Sequence, residues 1–428
     1  MDQRARKLDI VRAEHTLVVG VDIAKHKHWA RVMDGLNGIQ VGNAFSFENT
    51  REGFERLLGI VVRAQKATGA ARVVVAMEPT GHYWKPLAWY LKKAGITVVL
   101  VNPYHVKRYK EFDDNSPSKN DRKDAWVIAR LANEASFFEV YLPEGVYAEL
   151  RGLTQARQQQ RNKCNMALNQ IRCLLDEYFP EYEDVFTDIL GRASLYVLEH
   201  RPFPGDILAV SAEELAEELK LASNRRVGLK RALRLQEAAR DSVGVTEGLE
   251  AARLRLKQLL EEARFWRARL AETESAMADA LQRTGLAKYL LSVPGIGVVL
   301  AASFLGEIGD PGRYQDSRQI RKLAGLNVVE DSSGQKKGRT EISKRGRPGL
   351  RSVLYQMAMT MASKNIQFRA LYRYFISRRE NPLKPKQALI ALGCKLVRVL
   401  WTLMKEKRLW DPDRVLGTWR TEQLALAA

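Results

Sequence analysis

Cysteine is scarce in this chain: Cys164, Cys173 and Cys394 are the only three, with no C-x-x-C pair. That excludes a disulfide framework or a zinc ribbon as the basis of the fold. The six histidines show no metal-ligand spacing with a cysteine or with one another. The opening residues, MDQRARKLDIVRAEHT, lack the apolar core of a signal peptide. No uninterrupted apolar run approaches the ~18 residues of a membrane span. These absences lead us to expect a cytoplasmic protein without a membrane partner. Acidic residues are also in deficit: 50 Asp and Glu face 69 Lys and Arg, leaving a net charge of +19. Such an excess calls for a polyanion, and nucleic acid is the default candidate. Charge alone does not separate an enzyme from a ribosomal or chromatin protein. Apolar residues are plentiful, at 46% of 428, enough for ordinary cores in two or three domains.

The N-terminal third predicts an α/β domain. LVVGVDI (17–23), HWARVM (28–33) and IQVGNAFSF (39–47) read as three short strands, the last two separated by the turn-forming DGLNG. A helical pattern ending on Gly69 follows, then the strand ARVVVAME (71–78), a helix stopped by Gly95, the strand ITVVLVNP (96–103) and a helix over 121–133. The order βββαβαβα matches a ribonuclease-H-like fold. Four acids sit at telling places in it. Asp22 lies in an apolar strand, where a carboxylate is costly unless paired or bound to a cation. Glu78 ends the fourth strand. Asp121 and Asp124, three apart on a helix, share a face. Together they could converge at one end of the sheet as hard oxygen ligands for Mg²⁺ or Mn²⁺. Plainer roles compete: Asp22 paired with Lys25 or Lys27, Asp121 as a helix N-cap, Asp124 paired with Lys123 or Arg130.

Residues 146–284 read as helical. From Leu249 to Ala280 apolar residues alternate at spacings of three and four, the coiled-coil period. A helix over about 147–177 is a candidate antiparallel partner, and 180–245 reads as an inserted set of short helices. We expect the seam to serve self-association, with an intramolecular hairpin as the competing reading.

After residue 285 two apolar helical runs flank Pro294-Gly295-Ile296-Gly297, which resembles a helix–hairpin–helix whose Gly-rich turn admits a phosphate. The competing reading is a packing corner. From Arg313 to Arg351 there are eleven Lys and Arg against four acids. Within this stretch a polar, Gly-rich loop feeds a helix starting near Pro348, and Ser343 lies in the loop. Candidate phosphate contacts are Gly295, Gly297, Arg339, Lys344, Arg345, Arg347 and Arg351. Neighbouring cations can hold a phosphate for a serine, although the hydroxyl needs activation to attack it.

The motifs VGVDIAK, AMEPTGHYW, VNPYHVKRY and NDRKDAWVIARL resemble the DEDD transposases, whose N-terminal domain resembles the RuvC junction resolvase. SVPGIGVVLAASFLGEIGD, RQIRKLAGL and EISKRGRPGLRSVLYQMA are similar to the second signature region of that group. It is the insertion-sequence "one-ten" family, which includes the Piv-type DNA invertases. The resemblance implies that Asp22, Glu78, Asp121 and Asp124 bind divalent metal and that Ser343, in ISKRG, links covalently to DNA. It also implies a composite site built from different subunits of a homo-oligomer, a dimer or tetramer. Its partners would be donor and target DNA and a structured bridge RNA that pairs with both. The insertion at 180–245 departs from the family pattern. We expect a RuvC-like domain over 1–145, a helical coiled-coil domain over 146–284 and a C-terminal transposase domain over 285–428. A junction endonuclease without serine chemistry, an inactive nucleic-acid-binding relative and a sugar-kinase-like or actin-like ATPase are the alternatives. The last lacks a second phosphate-binding Gly-rich turn.

Overall fold

The computed structural model describes residues 3–114, 121–333 and 336–416, with side chains except at 3, 112–114, 121, 330–333, 336–339 and 416. The chain divides into two compact units, Met1–Leu142 and Pro143–Ala428.

The first unit opens with α1 (Gln3–Arg12), followed by β1 (Thr16–Asp22), β2 (Lys27–Asp34), β3 (Gln40–Glu48), α2 (Arg51–Thr68) and β4 (Arg72–Met77). Then come α3 (Trp84–Lys93), β5 (Thr97–Val101), α4 (Pro103–Asp114), α5 (Asp121–Asn133) and β6 (Phe137–Glu139). The strands form one sheet in the order β3-β2-β1-β4-β5-β6. β1, β2 and β3 run antiparallel, β4 and β5 run parallel to β1, and β6 is antiparallel to β5. This is the ribonuclease-H-like arrangement that the element order predicts.

Local chemistry sets the element ends. Thr50 caps α2 by accepting from the Gly53 N–H, and Gly69 ends it at φ 71°, in the left-handed region that glycine enters freely. Alternation sorts the strand side chains. Leu17, Val19 and Val21 pack with Phe54, Leu57 and Leu87 under α2 and α3. Val18, Val74 and Ala76 pack with Val127 and Ile128 of α5 on the other face. Each such fully buried aliphatic side chain contributes roughly 1.5–3 kcal/mol. Gly20 faces α5, and a Cβ there would lie 2.0 Å from the Ala125 carbonyl oxygen. Only glycine lets the helix lie this close to the central strand.

The second unit is mostly helical. The long α6 (Gly145–Tyr178) leads into five short helices: α7 (Tyr182–Val185), α8 (Arg192–His200), α9 (Pro204–Leu208), α10 (Ala212–Ala222) and α11 (Leu229–Arg240). α12 (Leu249–Arg283) returns along α6 in antiparallel fashion. Arg283 pairs with Glu149 at 2.5 Å, Arg157 with Glu274 at 2.7 Å, and Lys163 lies 4.1 Å from the centre of the Trp266 ring. Most of the predicted heptad seam therefore packs within the chain, while Trp266 and Leu270 in its middle stay half-buried. Leu256, Leu259 and Ala263 join the core of the insertion, while Met277 and Ala280 join the C-terminal core. Periodicity correctly marked the buried stripe, but its cover is α6 and the neighbouring helices of the same chain.

The C-terminal core comprises α13 (Ala287–Leu291), α14 (Val298–Ile308), α15 (Ser317–Leu323), α16 (Pro348–Lys364), α17 (Ile366–Ser377), α18 (Pro385–Glu406) and α19 (Pro412–Leu416). α18 is long and apolar enough to cross a membrane by length and composition alone. In this fold it buries Leu392, Leu396, Leu400 and Leu403 in the C-terminal core. The stretch read as a Gly-rich loop before residue 348 contains a hairpin, β7 (Val328–Ser333) and β8 (Lys336–Ile342), with Val328 opposite Ile342. Its many charges hide the strand alternation.

Candidate active site

Asp22 is the last residue of β1. Val21 lies opposite Met77 on the parallel β4, so Glu78, the next residue, emerges beside Asp22. Neighbouring strands lie about 4.8 Å apart. By alternation, Asp22 follows Val18 and Gly20, and Glu78 follows Val74 and Ala76, so both belong to the face covered by α5. Because Gly20 abuts Ala125, the first turn of α5 lies over the same strand ends. Asp124 is buried there, and Asp22 and Glu78 are half-buried. Arg122 stacks 4.7 Å from the ring centre of Trp29, the strand partner of Asp22, which ties the helix start to the sheet. Asp121 begins α5, one turn ahead of Asp124; its side chain lies outside the described residues.

The electrostatics follow from this crowding. Burial holds the Glu78 carboxyl above its usual range and the nearby Asp124 charge adds to the rise, while Lys110 opposes it. The Lys110 ammonium, on α4, forms an ion pair with Asp124. Among the described residues no three Asp, Glu, His or Cys side chains approach closely enough to hold a metal. The donor chemistry nevertheless fits a hard cation: the groups are carboxylates gathered at the ends of β1 and β4, and a lysine ammonium already stands beside one of them.

Ser343 lies in the other unit, directly after β8. Its backbone N–H donates to Asn327 O at 2.7 Å, Lys344 N–H to Gly325 O at 3.0 Å and Arg347 N–H to Leu323 O at 2.7 Å. The loop 343–347 is thus stitched to the turn after α15. Gly346 makes the closeness possible: a Cβ there would lie 2.4 Å from Leu323 O. Lys344 takes φ 53°, uncommon for a residue with a side chain. Lys344 and Arg345 are exposed. Among the described residues none hydrogen-bonds the Ser343 hydroxyl.

The remaining candidate cations divide. Arg347 donates to Glu307 O, and Arg351 donates to Ala324 O at 3.0 Å, so both brace the loop. Burial, and then the adjacent Arg151, pull the Arg347 guanidinium below its ordinary pKa. That environment favours an anion nearby. The Arg339 side chain lies outside the described residues. Gly295 takes φ 101° and packs against Met361 and Thr360 of α16, whereas the space beside Gly297 is open. Sequence reasoning missed Lys110; its only signal was its place just after the VNPYHVKRY motif.

Comparisons with known proteins complete the picture. Residues 19–180 match a family model described as a transposase, and residues 287–373 match that of the transposase IS116/IS110/IS902 family. Together they cover more than half of the chain. A 44.8 kDa protein of insertion element IS116 from Streptomyces clavuligerus is 26% identical, over 92% of this chain and 96% of its own length. The transposase for insertion sequence element IS1111A from Coxiella burnetii is also 26% identical, over 74% of each chain. A solved structure of T. thermophilus RuvC with a Holliday junction substrate aligns at TM-score 0.21 and 16% identity, covering 29% of this chain and 100% of that one. The strand order, not this alignment, carries the fold. Enzymes of the class so defined are transposases, which cleave and join DNA. The chain belongs to the IS116/IS110/IS902 family of insertion-sequence transposases.

Proposed function

We propose that Asp22, Glu78, Asp121 and Asp124 hold Mg²⁺ or Mn²⁺ and that Ser343 is the nucleophile that joins DNA to the protein during transposition. The observation that supports this most is the charge balance at the ends of β1 and β4. Burial raises the Glu78 carboxyl above its ordinary value, beside a buried Asp124 that pairs with a lysine. A set of acids so placed is costly without cations. Bound divalent ions supply charge neutralisation to the oxygen leaving phosphorus.

The chain's own groups carry the remaining work. Ser343 Oγ bonds to phosphorus as the bridging P–O bond of the strand breaks. The serine proton passes to solvent, and the departing strand oxygen takes one up. Lys344 and Arg345 hold the phosphate charge, while Arg347 and Arg351 keep the loop in shape. The linkage conserves the phosphodiester energy, so attack by a strand hydroxyl rejoins DNA without a nucleotide cofactor. The Gly295–Gly297 turn and Arg339 grip DNA backbone. A bridge RNA pairs with donor and target DNA, and subunits of a homo-oligomer, dimer or tetramer, complete one another's sites in the cytoplasm of a bacterium or archaeon.

The test replaces each acid in turn. Asp22→Ala, Glu78→Ala, Asp121→Ala and Asp124→Ala are each expected to abolish cleavage of labelled DNA in Mg²⁺ while the protein stays folded. Near-normal cleavage by two or more of them removes the carboxylates from the mechanism.

A further inference from the structure

Residues 181–286 fall between the two family matches, and α7 to α11 occupy most of that stretch. These helices share an apolar core with the facing parts of α6 and α12, and within it the buried Tyr182 hydroxyl meets Ser194 O at 3.0 Å and Ser194 Oγ at 2.9 Å. Beside that contact lies an open cavity of about 440 Å³. Four guanidinium groups line it, from Arg192, Arg226, Arg231 and Arg267, and its one acid is Asp188.

Two of these arginines are held in place. Arg231 donates to Val185 O and lies 5.6 Å from the Phe186 ring centre; Arg267 donates to Leu190 O at 3.1 Å. Each guanidinium has five N–H donors, so others remain for a ligand. Arg192 and Arg226 are exposed and have no acidic partner among the described residues. The cavity floor includes the start of α8, which no side chain caps. Five cations and no acid lie between Lys220 and Gln236. Lys230 and Arg234, four residues apart and exposed on α11, add positive charge beyond the cavity lining, which already includes Arg226. Four arginines against one acid repel a cationic ligand. A tetrahedral anion satisfies the fork geometry of arginine, and a run of cations leading away from it suits a polymer of phosphates better than a single small ion.

We infer that the α7–α11 insertion is a nucleic-acid clamp: its arginine-lined cavity takes a backbone phosphate, and the α11 cations track the strand beyond it. The inference rests on the transposase reading, because it adds a grip to an enzyme already committed to nucleic acid. RNA and DNA share the phosphodiester chemistry, so the test separates them.

The full chain is compared with Arg192→Glu/Arg226→Glu and with the charge-keeping Arg192→Lys/Arg226→Lys. Binding to a labelled RNA hairpin and to a labelled DNA duplex of equal length is read by fluorescence anisotropy across a salt series. The glutamate pair is expected to weaken binding to at least one probe by about tenfold and to flatten its log–log salt dependence by about one, since one neutralised phosphate accounts for a slope of ~0.9. The lysine pair is expected to retain most of the binding. Loss with RNA alone, or with DNA alone, names the strand in the clamp. A glutamate pair that melts like the wild type and binds both probes with unchanged affinity and slope overturns the clamp. A wild type that binds neither probe overturns the transposase reading and the clamp with it. A wild type that cleaves DNA, beside a glutamate pair that binds and cleaves as well as it does, overturns the clamp alone.

Discussion

Lys110 on α4 places its ammonium against the Asp124 carboxylate on α5, within electrostatic reach of Glu78. The two side chains are largely withdrawn from water, at 30% and 10% exposure, so screening weakens the pair less than a surface one. A lysine so placed is a built-in counter-ion. Any divalent cation that uses Asp124 must compete with it.

Lys110→Met is therefore expected to tighten Mn²⁺ binding about tenfold, an order-of-magnitude figure for one partly buried charge. Titration calorimetry on the purified protein without DNA measures it. An unchanged Mn²⁺ affinity would show that Lys110 does not oppose the ion.

The closeness of α5 to β1 makes a second prediction. Gly20→Ala forces a Cβ toward the Ala125 carbonyl and must push away the helix that carries Asp124. Overpacking of this kind typically costs about 1–3 kcal/mol. Thermal melting is expected to fall by the corresponding few degrees, with cleavage reduced more than stability alone explains. Retention of both full stability and full cleavage would argue that the helix is free to shift without consequence.

His28 supplies the pH dependence. It is buried in β2, and its Nδ1 accepts from the Ala24 N–H at 3.2 Å, which closes the turn following Asp22. Burial lowers its pKa below 6.5, although Asn49 works against the shift. A base with a depressed folded pKa contributes stability above its unfolded value and loses it as pH falls through the folded value. Wild-type stability is expected to decline below pH 6.5 partly through this group. His28→Phe, compared by denaturant melts between pH 7.5 and pH 5, is expected to show a shallower decline. An identical pH slope in both proteins would assign the acid sensitivity elsewhere.

Much of this site is legible in the residues themselves, and the boundary of that legibility has physical causes. Asp22 and Glu78 stand out because a carboxylate at the end of a Val-rich strand is energetically anomalous. Asp124 stands out through its three-residue spacing from Asp121 on a periodic helix. Lys110 does not, because its partner lies on the next helix and no local period joins them. Along Leu249–Ala280, periodicity identifies which side of α12 is buried, but periodicity is silent about what covers it; α6 does so here. The β7–β8 hairpin escaped because Lys, Arg, Glu and Asp occupy strand positions where alternation of apolar and polar residues would otherwise show. The loop holding Ser343 depends on Gly325 and Gly346 approaching backbone far away in sequence, which no short window reveals.

The most direct measurement of the central claim is denaturing electrophoresis of end-labelled DNA after reaction in Mg²⁺, with mass mapping of any peptide left on the strand. The account predicts a protein–DNA adduct at Ser343 in the wild type. It predicts no adduct with Ser343→Ala, which still binds nucleic acid, and none with Asp124→Ala. An adduct that persists in Ser343→Ala, or that maps to Ser332 or Ser333, contradicts the assignment of the nucleophile. Cleaved DNA released from active wild-type enzyme with no adduct under trapping conditions contradicts covalent catalysis and favours hydrolysis at the carboxylates alone.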